Sequence, residues 1–124
     1  IISTGVMLQN LRTSSLDNDL NLTRDGYHMD NGLSRYAASC TVFESIITPK
    51  FNVTLDGNTY RYATSNTTEG SYTTPVTDEN APIAIQAARY AIQSPYVVTD
   101  MSNYKATVPD NSIADVEYEE GNKE

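Results

Sequence analysis

Asp25 and His28 stand three positions apart in the stretch Thr23-Arg24-Asp25-Gly26-Tyr27-His28-Met29-Asp30, and His28 is the one histidine of the chain. These residue types suit acid–base chemistry. An alcohol is a poor nucleophile near neutral pH until a base takes its proton, and imidazole suits the task because its unperturbed pKa is about 6.5. The ring must offer one bare nitrogen to the hydroxyl. A carboxylate secures this by accepting a hydrogen bond from the other nitrogen, and it stabilises the imidazolium that forms. A turn containing Gly26 lets both side chains point to the same side, since glycine tolerates unusual backbone angles. The same spacing occurs on idle surface turns, so the pair alone leaves both readings open. An activated serine to complete a triad has no convincing candidate in the chain.

The totals narrow the setting. A chain of 124 residues is about one domain. The formal charge is −8, with the eight basic residues scattered, which argues against nucleic acid and anionic membrane surfaces as partners. One cysteine, Cys40, excludes an internal disulfide and speaks against a metal cluster. It falls inside an apolar helical pattern and is expected to be a small buried residue. No stretch approaches the ~20 apolar residues of a membrane span. The opening Ile1-Ile2-Ser3-Thr4-Gly5 reads as the middle of a longer protein rather than as a signal peptide.

The elements that must position Asp25 and His28 follow from spacing. Ile1 to Leu8 suggests a short buried strand with Gly5 at its end. Val6 to Arg12 then suggests one or two helical turns, with Met7, Leu8 and Leu11 inward. Thr13 to Thr23 is a polar loop whose Leu16, Leu20 and Leu22 are expected to tuck onto the core. Its alternating Asp17, Asp19, Asn21 and Thr23 resemble a calcium loop, but the required Gly and Glu positions hold Leu22 and His28. After the Asp–His stretch, Asp30 or Asn31 is placed to cap a helix. Leu33, Tyr36, Ala37, Cys40, Phe43 and Ile47 form its inner face, and Ser34, Arg35, Thr41, Glu44 and Ser45 are left mostly to the polar side. Pro49 is expected to stop it.

Phe51 to Leu55, Asp56-Gly57 and Asn58 to Tyr62 read as a hairpin. Thr64 to Thr77 reads as a surface loop. A second helix, capped by Asp78 or Asn80 with Pro82 in its first turn, runs through the alanine-rich Ile83 to Gln93. It is apolar nearly all round and so expected to be largely buried. Ser94-Pro95 ends it, and Tyr96 to Thr99 suggests a terminal strand or a packed extended piece. Residues 105–124 are rich in Asp and Glu and read as a flexible acidic tail, which leaves 1–104 as the folded segment.

The residues Arg24 to Asp30, with Gly32-Leu33-Ser34-Arg35-Tyr36-Ala37-Ala38 after them, resemble the last conserved block of the SGNH (GDSL-type) hydrolases: Asp-x-x-His, then a Gly-containing turn into an Ala- and Tyr-bearing helix. Ile1 to Arg12 looks like the strand and helix that precede this block. The stretch Asn80 to Met101, with its Pro95-Tyr96-x-x-Thr99-x-Met101 ending, is similar to an uncharacterised branch found in secreted bacterial proteins. The resemblance implies an α/β class, the C-terminal portion of a flavodoxin-like three-layer α/β/α fold with a β-hairpin insertion. It implies ester hydrolysis, on acyl or acetyl esters of carbohydrates, with His28 as general base and Asp25 as its orienting carboxylate.

The family's nucleophile lies in a Gly-Asp-Ser motif that this chain lacks, and Ser3, Ser14 and Ser15 are not set in it. The expectation is therefore a secreted or periplasmic serine esterase segment, inactive alone, without cofactor, whose partners are an ester substrate and its own N-terminal part. The alternative is a noncatalytic carbohydrate-binding or structural module, with Tyr60, Tyr62 and Tyr72 as an aromatic contact surface.

Overall fold

Helix formation starts earlier than the Ile-rich opening suggests. In the computed structural model, which describes residues 1–61 and 73–106, helix α1 already covers Thr4–Arg12. Ile1 and Ile2 are exposed, and no strand pairing involves them among the described residues. The expected strand at Ile1–Leu8 is thus a helix from Thr4 onward. Its inner face is as the spacing predicts: Met7 and Leu11 are fully buried, and Leu8 packs at the core's edge.

Helix α2 covers Leu33–Val42, and it does not stop at Pro49. A π-helical turn, Phe43–Ile47, follows directly, and a short helix α3, Thr48–Phe51, continues from it. Proline lacks the N–H that an α-helix would use four residues back, and its ring crowds the preceding turn. The chain meets this by widening just before the proline: Thr48 N–H bonds back to Phe43 O across the wider turn. Asn52 then ends the helix in the left-handed conformation (φ 56°), and its N–H donates to Thr48 O at 2.9 Å.

The inner face of this helix also differs from the periodic expectation. Leu33, Tyr36, Ala37 and Cys40 are buried, whereas Phe43 and Ile47 are only half-buried. Ser34, Thr41 and Glu44, expected on the polar side, are buried instead. Each is buried with a hydrogen-bond partner, which is what makes a polar interior position tolerable. Thr41 Oγ1–H donates to Ala37 O, and Glu44 meets Arg89.

Helix α4, Ala81–Gln93, begins at Asn80 with Pro82 in its first turn and ends before Ser94-Pro95, as expected. Burial is confined to one stripe. Ala81, Ala84, Ala87, Ala88 and Ala91 are fully covered, while Ile83 and Ile85 are half-buried and Ile92 is exposed. Methyl-sized side chains let α4 approach both α1 and α2, and these three helices enclose the core. The segment after α4 folds back along α1. Thr99 N–H donates to Asn10 Oδ1 (2.7 Å), and Met101 N–H donates to Thr13 Oγ1 (2.7 Å), which seats the Met101 side chain in the core. Tyr96, Val97 and Val98 keep their side chains exposed, so this stretch is neither a strand nor packed through its side chains.

No hairpin forms at Asp56-Gly57 among the described residues. A turn is present, closed by Asn58 N–H donating to Leu55 O (3.1 Å), but only Gly57 takes positive φ (80°). That is the pattern of a type II turn, whose twist splays the flanking chain rather than pairing it. Tyr62, Tyr72, most of the Thr64–Thr77 loop and all but the first two residues of the acidic 105–124 tail lie outside the described residues.

Candidate functional site

The Asp–His stretch is a small loop pinned at its neck. Thr23 and Met29 form an isolated antiparallel bridge, Arg24 N–H donates to His28 O (2.9 Å), and Asp30 N–H donates to Leu22 O (3.2 Å). Within the loop, Gly26 takes φ 105°, an angle that penalises any side chain, and its N–H donates to Thr23 Oγ1 (2.9 Å). Thr23 is itself buried and donates its hydroxyl proton to Leu20 O (2.5 Å).

The structure brings Asp25 and His28 into direct contact. Asp25 Oδ1 accepts the backbone N–H groups of Tyr27 (3.1 Å) and His28 (2.7 Å). Its Oδ2 lies 2.5 Å from His28 Nδ1. One carboxylate oxygen therefore shapes the turn and the other holds the ring. The hydrogen bond from the His28 ring, followed by that from its backbone N–H, holds the Asp25 carboxyl well below the usual carboxylate range. With Nδ1–H committed to an ionised carboxylate, the neutral ring carries its lone pair on Nε2. Among the described residues no group bonds Nε2, and the side chain is about half exposed (52%). The Tyr27 ring lies against the imidazole at a centroid distance of 4.4 Å and limits its rotation.

Beneath the loop is a polar lock that the periodic reading missed. Asp30 is fully buried. Its Oδ1 accepts Gly32 N–H (2.6 Å), and its Oδ2 lies 3.0 Å from Ser34 Oγ. The Ser34 hydroxyl donates its one proton to Leu22 O at 2.6 Å. Asp30 thus serves the start of α2 as expected of a cap, although Gly32 occupies the capping position itself. Leu22 and Asn21 both hold positive φ (66° and 55°), costly for residues with a Cβ, and Leu22 is fully buried. Leu22 O receives bonds from Asp30 and Ser34 together, which holds that backbone in place. The visible trace in the sequence is Asp30-x-x-x-Ser34 at helix-start spacing. Leu20, expected to tuck onto the core, is exposed instead.

Gly32 joins the loop to α2 where another segment crosses. A Cβ there would lie 2.0 Å from Thr74 O, the same carbonyl that accepts Leu33 N–H at 2.9 Å. Only glycine admits this close approach.

No serine or threonine hydroxyl bonds His28 among the described residues. No group of metal-ligating residues occurs among the described residues, and no helix there is long and apolar enough to cross a membrane. No curated protein matches the chain. No solved structure matches it either. Residues 1–79 match the family described as Domain of unknown function (DUF4886). That span contains α1, the Asp25–His28 loop, its polar lock and α2, and over it the chain belongs to the DUF4886 family.

Proposed function

We propose that this chain carries the acid–base half of a serine esterase of the SGNH type, acting on acyl or acetyl esters of carbohydrates in a secreted or periplasmic bacterial protein. His28 takes the proton of a serine hydroxyl through Nε2 and later returns it to the leaving alcohol. Asp25 holds the ring and stabilises the imidazolium. The serine and the oxyanion donors come from residues outside this chain, within a flavodoxin-like α/β/α domain. The carrying observation is the 2.5 Å contact between Asp25 Oδ2 and His28 Nδ1, with Nε2 left without a partner among the described residues.

The test uses the natural polypeptide that contains this chain together with its upstream residues. Hydrolysis of acetylated xylan and of an aryl acetate is measured for the parent, His28→Ala and Asp25→Asn. The expected losses are at least about a thousandfold for His28→Ala and about 10⁴-fold for Asp25→Asn, whose amide favours the wrong tautomer. Ester turnover unaffected by His28→Ala sinks the proposal. Sugar binding without any turnover favours the noncatalytic module.

A further inference from the structure

A concave feature lies along α2 and the π-helical turn that follows it. Arg35, Tyr36, Ser39, Cys40 and Phe43 from the helix, with Leu55 and Tyr60 from the segment after it, enclose a cleft of about 400 Å³. That volume is within the range of small-molecule sites. Its walls are the faces of Phe43, Leu55, Tyr60 and the buried Cys40.

Two polar groups border it. The Tyr36 hydroxyl is shut off from water, beside Asn58 and the Cys40 thiol. Arg35 is exposed at the rim and makes no ion pair among the described residues, whereas Arg61 and Arg89 are both engaged with carboxylates.

The geometry points to a binding site for a small aromatic carboxylate, its ring between Phe43, Leu55 and Tyr60 and its carboxylate on the Arg35 guanidinium. A sugar suits this cleft poorly, because few of its hydroxyls would find partners along apolar walls. Planar rings gain from aromatic neighbours, and a guanidinium pairs well with a carboxylate in a two-pronged geometry. The site uses neither Asp25 nor His28, so it stands apart from the esterase reading.

The test is titration of the full chain with cinnamate and with its uncharged analogue cinnamamide, followed by calorimetry and ligand-observed NMR. Cinnamate is expected to bind, with affinity about tenfold weaker for cinnamamide and for Arg35→Gln. Ser39→Trp places a large ring at the exposed rim and is expected to abolish binding. Both positions are exposed, and unchanged thermal melting checks that the fold persists. Absence of cinnamate binding overturns the inference. So does binding that is indifferent to Arg35→Gln and Ser39→Trp.

Discussion

Asp30 carries a carboxylate into the interior with no cation against it among the described residues. Burial pushes its carboxyl above the usual value of 3.8, opposed in part by the Gly32 N–H. A carboxyl that holds its proton more tightly when folded makes the folded state less stable as pH rises from the usual value through the folded one. Asp30→Asn keeps an acceptor for Gly32 N–H and removes the charge. It is expected to flatten that part of the stability–pH curve and to leave stability at neutral pH unchanged or higher. Asp30→Ala strands the Gly32 N–H and is expected to cost about 1–3 kcal/mol. Urea unfolding from pH 3 to 8 reads both outcomes. Asp25 has the opposite sign. Its carboxyl is depressed by His28, so its contribution is present above the usual value and is lost only as pH falls through the lower folded one.

At the scale of elements, α4 packs on α2 through alanines and is joined to the π-helical turn after α2 by a charged contact. Arg89 donates from Nε to Glu44 Oε1 (2.9 Å) and from Nη2 to Glu44 Oε2 and Asp56 Oδ1 (3.0 Å each). Glu44 Oε2 also accepts Leu55 N–H (2.9 Å), which ties the turn after α3 to the same point. The Arg89 hydrogen bond is the chief cause that lowers the Glu44 carboxyl below its usual 4.5. The stability this adds is complete above the usual value and declines as pH falls through the folded one. Glu44→Ala leaves Arg89 half served and Leu55 N–H without an acceptor. The expected loss is about 1–3 kcal/mol, below that of a fully buried pair because Arg89 is partly exposed. Thermal melting at pH 7 measures it, and the deficit should narrow on acidification. Gly32→Ala drives a methyl into Thr74 O and is expected to cost about 1–3 kcal/mol in the same assay.

Much of this arrangement was legible in advance. The helical spacing of Met7 and Leu11, the start and stop of α4 and the Asp25–His28 turn before a helix all rest on local rules. The Pro49 stop fails through a local change of helix type, and the burial of Glu44 depends on a distant partner. A π turn absorbs the proline, and Arg89 brings Glu44 inward from 45 positions along the chain. Leu22 in a left-handed conformation has no sequence signal, because its carbonyl is held by Asp30 and Ser34 across the loop.

For the molecule as a whole, small side chains set the dimensions. The alanine stripe of α4 brings three helices close but provides little apolar area per residue. Larger residues must therefore carry much of the burial, and among the described residues Met7, Leu11, Leu33 and Met101 are the fully covered large apolar ones besides Leu22. Met101 reaches the core only because the returning segment is tied to Asn10 and Thr13. Met101→Ala is expected to lower stability by about 2–5 kcal/mol. It should also raise hydrogen exchange at Thr99 and Met101 before that of α1, α2 and α4.

Cys40 gives the chain an internal clock. It is the single sulfhydryl of the sequence, almost wholly enclosed, and burial pushes its thiol up to about 12. Both effects suppress the thiolate that alkylating reagents attack. Iodoacetamide should therefore mark this protein only during the moments when α2 comes away from its neighbours. The rate of a mass gain at one atom then reports how often the helix bundle breathes, with no probe introduced.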